Sequence, residues 1–186
     1  RAQPALSNIL YGVNSIEYGS KIINNLYSSL KNPYEEIHKL QRLNRRGLTG
    51  CLNIYKSRIN NLSIELQGGF CEDSLNIISS NGFLKTVKIR ESLQDALDLD
   101  FSNVTIKNLF IKNAGNDCLD VSGGNYQIVN ASLSYCTDKA ISIGEKSSFN
   151  GKKVFVSNSN IAIAVKDYST ANIDLMSVFD TPTCIE

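Results

Sequence analysis

A two-residue apolar signature returns at a fixed interval between residues 73 and 167, and it limits the possible folds more than any other feature. The pairs stand 22 positions apart, at Leu75 and Ile77, Leu97 and Leu99, Leu119 and Val121, Ile141 and Ile143, and Ile163 and Val165. Apolar residues at i and i+2 indicate short strands. So short a unit cannot bury its own apolar face, and successive units must stack around a shared core. The pattern predicts an all-β parallel β-helix, and two further apolar columns suggest three strands in each coil.

The repeat divides the chain into two regions. Residues 48–186 are predicted to form about six coils, with the solenoid open at its C-terminal end. Residues 1–47 are predicted to be a lead-in followed by a short capping helix, in which Asn32, Pro33 and Glu35 have the layout of a helix start. The open end suggests either a fragment of a larger protein or a last coil covered by another chain.

Composition excludes several classes of function. Among 186 residues, 19 are basic and 18 acidic, whereas a nucleic-acid-binding surface needs a basic excess, so no nucleic acid is expected. No apolar run is long enough to span a membrane. None of the five cysteines forms a C-x-x-C pair, which argues against zinc. We expect buried thiols, with Cys118 and Cys136 in different parts of the coil. A Cys51–Cys71 bridge is the alternative.

Acidic residues alternate with the inward pairs and are predicted to form a carboxylate strip of Asp98, Asp100 and Asp120. If Leu97 and Leu99 point inward, the residues between and after them point outward. Residues 22 apart then lie above one another, so Asp98 and Asp120 are vertical neighbours. Carboxylates this close repel each other unless a proton, a cation or a basic partner relieves them.

Other polar residues extend the same outward face. Lys166 is the best placed candidate for a catalytic base, because a lysine with a lowered pKa can remove the proton next to a uronate carboxyl group. Ca²⁺ is a possible ligand of the carboxylate strip, while a solvated strand face is the structural alternative. The predicted substrate-binding residues are Asp98, Asp100, Asp120, Ser122, Ser142, Glu145 and Asp167.

A second acidic series is predicted to be structural. Its members precede the inward pairs, at the turn that enters each strand, where an aspartate accepts hydrogen bonds from nearby backbone N–H groups. They are Asp73, Asp95, Asp117 and Asp138.

Several segments resemble the right-handed parallel β-helix (pectate-lyase-like) superfamily, and more narrowly poorly characterised bacterial β-helix proteins that sometimes carry a CotH-like (spore-coat-kinase-like) region. The resemblance covers about residues 48–170 and implies a right-handed solenoid. The segments are 48–51 (LTGC), 71–74 (CEDS), 95–101 (DALDLDF), 115–120 (GNDCLD), 138–145 (DKAISIGE) and 164–167 (AVKD).

The resemblance specifies fold more than activity, because the superfamily includes lyases, epimerases, hydrolases and adhesins. Pectate lyases present aspartates on one sheet for Ca²⁺, and the carboxylate strip is similar. Their arginine base has no counterpart, since the repeats contain only Arg58 and Arg90. The resemblance therefore implies a polysaccharide lyase or epimerase if the chain is an enzyme.

Two hypotheses of function follow. In the first, the protein binds or processes an acidic polysaccharide through the carboxylate strip, at a cell surface or outside the cell. In the second, it is a non-catalytic structural or assembly module that could form homo-oligomers or receive a missing C-terminal partner segment.

Overall fold

The structure is a computed structural model that describes residues 48–186 and the backbone of two earlier strands, Asn8–Leu10 and Lys21–Asn25. The capping helix predicted within residues 32–47 lies outside this part of the chain. The described residues contain no helix, and hence none that could cross a membrane.

Strands alternate between two parallel sheets along the described residues. Odd-numbered strands form a first sheet of eight strands, and even-numbered strands form a second sheet of seven. In chain order they are β1 Asn8–Leu10, β2 Lys21–Asn25, β3 Gly50–Tyr55, β4 Arg58–Gln67, β5 Asp73–Ile78, β6 Asn81–Ser92, β7 Asp95–Asp100, β8 Asn103–Ala114, β9 Leu119–Ser122, β10 Asn125–Cys136, β11 Lys139–Gly144, β12 Ser148–Ser157, β13 Ile161–Val165, β14 Thr170–Phe179 and β15 Thr183–Ile185.

The 22-residue step is confirmed by the strand register. Leu97 of β7 pairs with Leu119 of β9, and Ile141 of β11 pairs with Ile163 of β13. The chain is thus a parallel β-solenoid with about 22 residues in each of about six turns. The paired apolar side chains are buried and belong to one core that runs through the stack.

The prediction of three strands per coil is wrong, because each coil contributes one strand to each sheet. The two further apolar columns lie in the first and second halves of the long even-numbered strands, as Leu84 and Val87 do in β6. In β8, Ile106 and Leu109 are both buried although they are three residues apart, with Lys107 exposed between them. This break in alternation turns one long strand around a corner of the coil.

A ladder of hydroxyl groups marks the corner between the two sheets. The backbone N–H of Ser80 donates to Ser102 Oγ (2.9 Å). One coil further, Gly124 replaces the serine, and the backbone N–H of Ser102 donates instead to the hydroxyl of Tyr126 (3.3 Å). A Cβ at Gly124 would lie 2.5 Å from that hydroxyl, so the missing side chain makes room for the buried tyrosine.

The expectation of buried thiols is wrong for all five cysteines. Cys118 and Cys136 form a disulfide across one coil, and the alternative pairing of Cys51 with Cys71 is also present as a disulfide. The predicted separation of Cys118 from Cys136 fails because the start and end of a coil meet at a corner. Cys184 is free and exposed.

Candidate functional site

The carboxylate strip lies on the outward face of the first sheet, as the repeat predicts. Asp98 of β7 pairs with Asp120 of β9, and Asp100 pairs with Ser122. Asn76 of β5 precedes Asp98 in the same column. Ser142 of β11, also predicted to belong to the site, follows Asp120. The four residues of this column therefore occupy four consecutive coils.

The column is more recessed than strand alternation alone predicts. Asn76 is 1% exposed and Ser142 is 0% exposed, although both lie on the outward face. Thr49, which precedes β3, and Asp73, the first residue of β5, form one wall beside Asn76, with Thr49 Oγ1 and Asp73 Oδ2 each 3.3 Å from Asn76 Nδ2. The strip therefore lies in a shallow trough, partly shielded from solvent.

Asn76 joins the acids of two strands. Its Nδ2 donates to Asp98 Oδ2 (2.7 Å) and is within 3.2 Å of Asp100 Oδ2. Asp98 and Asp100 are hydrogen-bonded to each other through their side chains. Two carboxyl groups can share such a bond only if one carries a proton.

Burial decides which carboxyl group keeps the proton. It raises the pKa of Asp98 well above its usual range, and the nearby charges of Asp100, Asp73 and Asp120 raise it further. Burial also raises the pKa of Asp100, but hydrogen bonds from Asn76 and Asp98 oppose that rise. Asp98 is consequently the protonated member at neutral pH, and Asp100 accepts its hydrogen bond.

Two polar atoms at the ends of the column lack partners. Among the described residues, Asn76 Oδ1 and Ser142 Oγ are buried without a hydrogen bond. A buried polar atom left without a partner costs about 1–3 kcal/mol. The column thus keeps unused hydrogen-bonding capacity on both sides of Asp98 and Asp120.

An aromatic side chain lies at the exit of the strip. Phe101 follows Asp100 and is 59% exposed. Its ring covers Gly123, where a Cβ would lie only 2.5 Å from the ring carbon Cδ1. The absence of a side chain at Gly123 therefore lets an exposed ring lie beside the carboxylates.

Lys166 lies at the far end of the face. Its side chain lies near Gly144, since a Cβ there would be 3.2 Å from Lys166 Cε and 3.4 Å from Asp167 Oδ2. In the column of paired residues, Ser122 lies between Asp100 and Gly144. The backbone of Lys166 is thus about three strand spacings, or about 14 Å, from that of Asp100, and its side chain extends over Gly144. Glu145 is exposed, and its charge helps to raise the pKa of Asp100.

The second acidic series is structural at two of its predicted positions. Asp95 Oδ1 accepts the backbone N–H of Asp117, and Asp117 Oδ1 accepts the backbone N–H of Lys139. Burial raises the pKa of Asp117 to about 6 against the opposing effect of Lys139. Asp73 forms the wall of the trough, and burial raises its pKa to about 7. Asp138 forms an ion pair with Lys139.

The calcium hypothesis gains no support from this geometry. Within the part of the chain that the structure describes, no group of three His, Cys, Asp or Glu side chains is arranged to hold a metal ion. Hydrogen bonding to Asn76 Nδ2 relieves part of the repulsion between Asp98 and Asp100.

The site residues predicted from the sequence include neither Asn76 nor Phe101. The 22-residue step could have identified Asn76, since it precedes Asp98 by one repeat. Phe101 could have been identified from Gly123, which stands one repeat later in the same turn position. Neither of these 22-residue relations indicates how deeply a side chain is buried, because burial depends on the residues that border the face.

Comparison of the chain with protein-family models, with curated proteins and with solved structures finds no match. The assignment of function therefore depends on the geometry of the site.

Proposed function

We propose that the outward face of the first sheet binds a polysaccharide, and that its preferred ligand carries uronic acids. The observation that carries the proposal is the recessed column of polar side chains, in which the partly exposed Asp98 and Asp120 lie between the buried Asn76 and Ser142. A ligand rich in hydroxyl groups, each both a donor and an acceptor, can hydrogen-bond to the two carboxyl groups.

The chemistry of the trough suits a sugar ring. Carboxylates and hydroxyls bind sugar hydroxyl groups, while the exposed ring of Phe101 offers an apolar surface for the ring carbons, the combination typical of small-ligand sites. Because Asp98 carries a proton, the strip is less negative than its three acids suggest. Lys166 supplies a cation for a uronate carboxylate. A role for Lys166 as catalytic base stays a prediction, because its backbone lies about three strand spacings from that of Asp100.

Isothermal titration with trigalacturonate tests the proposal. Asp120→Ala removes a hydrogen-bonding carboxylate and Phe101→Ala removes the apolar surface, so each is expected to weaken binding about tenfold, equivalent to about 1.4 kcal/mol. Asp174→Asn, on the second sheet, is the matched control and should bind like wild type. Absence of binding by the wild type, or equal affinity in all variants, would overturn the proposal.

The preference for an acidic sugar has its own control. Lys166→Gln should weaken binding of trigalacturonate but not of the analogue whose carboxyl groups are reduced to alcohols. Equal weakening for both ligands would remove Lys166 as the carboxylate partner.

Two disulfides support the expectation of a cell-surface or extracellular location, since such bonds persist in oxidising compartments. Polysaccharides of cell walls and matrices are available there.

Exposed apolar side chains of β14 favour assembly as a second candidate function. Leu175 and Phe179 are each 55% exposed. An assembly module is expected to associate with increasing concentration in sedimentation velocity. A monodisperse monomer at all concentrations would contradict this function.

A further inference from the structure

The outward face of the second sheet carries cations and exposed aromatic rings together. Lys88 pairs in register with Phe110, Phe110 with Ser132, and Ser132 with Phe155. Phe110 is 44% exposed and Phe155 is 41% exposed. This column crosses four consecutive coils, and the two rings are separated by one serine. We call the surface the basic aromatic face, and it consists of Lys88, Arg90, Phe110, Lys112, Lys153 and Phe155.

The cations lie on the same side of the strands as the rings. Lys112 follows Phe110 by two residues, and Lys153 precedes Phe155 by two, so each lies on the same outward face as the neighbouring ring. Glu65 forms ion pairs with both Lys88 (2.9 Å) and Arg90 (3.6 Å). One acid facing two cations leaves this corner of the face positive.

Small residues leave a depression between Phe110 and the cations. Its volume is about 230 Å³, and Phe110, Lys112, Ser132 and Ser134 line it together with Lys88 and Arg90. Phe110 and Phe155 are two strand spacings apart, about 10 Å. Two rings at this interval, with a hydroxyl-lined depression beside Phe110, can each support one ring of an extended chain.

Charge is separated between the two outward faces of the solenoid. The carboxylate strip lies on the first sheet and the basic aromatic face on the second, although the chain as a whole has a net charge of only +1. Local fields of one sign attract ligands of the other sign even on a nearly neutral protein. The second sheet therefore suits an anionic partner.

We propose that the basic aromatic face binds an anionic polysaccharide chain, with sugar rings packed on Phe110 and Phe155 and their acidic groups on Lys112, Lys88 and Arg90. It is a second surface, independent of the carboxylate strip. A solenoid that holds a polymer on this face keeps the strip free for a second glycan segment.

Affinity chromatography of the full chain on immobilised heparin and on immobilised polygalacturonate tests the proposal. The wild type is expected to bind at low salt and to elute as salt rises, because ion pairs with the polymer are screened. The Phe110→Ala/Lys112→Gln variant should bind at least tenfold more weakly. Retention on heparin alone or on polygalacturonate alone would support the face and identify sulfate or carboxylate as the group it recognises.

Two controls locate the effect. Tyr168→Ala/Lys146→Gln also removes one exposed aromatic ring and one exposed cation, but outside this face, and should be retained like wild type. Asp120→Ala should also be retained on heparin. On polygalacturonate, which the strip is proposed to bind as well, the effect of Phe110→Ala/Lys112→Gln is measured in the Asp120→Ala background, which separates this surface from the strip. All variants should keep the wild-type melting temperature, since the substituted residues lie outside the core.

Three results would overturn the proposal. The first is wild-type protein that passes through both columns, and the second is a Phe110→Ala/Lys112→Gln variant retained as strongly as wild type. The third is equally strong binding of a thymidine oligonucleotide that the same variant loses, which would assign the face to single-stranded nucleic acid.

Discussion

Asp98 is the residue on which the chemistry of the first sheet depends. It is partly buried beside Asp100 and Asp120, and its raised pKa makes it a neutral hydrogen-bond donor. A carboxyl group whose pKa is higher in the folded than in the unfolded state binds its proton on folding. The free energy of unfolding then falls as pH rises above about 4, the pKa of an unperturbed aspartate. Asp117, with a pKa of about 6, and Asp73, with a pKa of about 7, act in the same direction.

Asp98→Asn is expected to stabilise the protein at pH 8 by about 2 kcal/mol, because the amide is neutral in both states, whereas the carboxyl group is ionised in the unfolded chain and must take up a proton on folding. The amide can still accept the bond from Asn76 and donate to Asp100. Thermal melts from pH 5 to pH 8 check the prediction: the wild type should lose stability as pH rises, and the variant should lose less. A variant less stable than wild type at pH 8 would contradict it, and the exposed Asp174→Asn is the control.

Tyr126 carries the second residue-scale prediction. Its buried hydroxyl accepts the backbone N–H of Ser102 and lies within hydrogen-bonding distance of the carbonyl oxygens of Leu99 (2.8 Å) and Ser122 (2.7 Å). Tyr126→Phe leaves these groups buried without a partner and should lower the free energy of unfolding by about 1–3 kcal/mol. Urea denaturation measures the loss. Tyr168→Phe changes a residue that is 94% exposed and should leave the free energy of unfolding unchanged. An equally small change for Tyr126→Phe would contradict a stabilising role for the hydroxyl ladder.

At the scale of the coil, the disulfides join parts of the chain that strand pairing leaves unconnected. Strand pairing joins each coil to the next, whereas Cys118–Cys136 joins the beginning of one coil to its own end. The bond joins two residues that are 18 positions apart in the sequence and so closes a loop. Loops of this size are associated with about 3 kcal/mol of stabilisation, chiefly through the unfolded chain.

Replacing Cys118 and Cys136 together by alanine should therefore lower the free energy of unfolding by about 3 kcal/mol. Chemical denaturation under non-reducing conditions measures it. Cys184→Ser changes a free, exposed cysteine and should leave the midpoint in place. A double variant as stable as wild type would contradict this prediction, because the disulfide would then add no stability.

At the scale of the whole molecule, the sequence predicted the contacts between successive coils but missed a contact within one coil. The 22-residue step correctly placed Asp98 under Asp120 and Asp120 under Ser142, because parallel register is a vertical relation that periodicity records. It could not pair Cys118 with Cys136, whose separation of 18 reflects a horizontal contact at a corner.

Burial was the other property that the repeat did not reveal. Strand alternation correctly assigns Asn76 and Ser142 to the outward face, yet both are almost fully buried. Thr49 and Asp73 lie against Asn76, and the apolar period does not record side-chain contacts of this kind. The same limit explains why the raised pKa of Asp98 could not be predicted from its position in the column alone.

The most direct test of the binding site is a carboxyl-carbon NMR spectrum recorded at pH 7 during titration with trigalacturonate. If the trough binds the sugar, the resonances of Asp98, Asp100 and Asp120 should shift together, and that of Asp174 on the other sheet should stay in place. Strip resonances that do not move at saturating sugar, or that move no more than Asp174, would contradict the account.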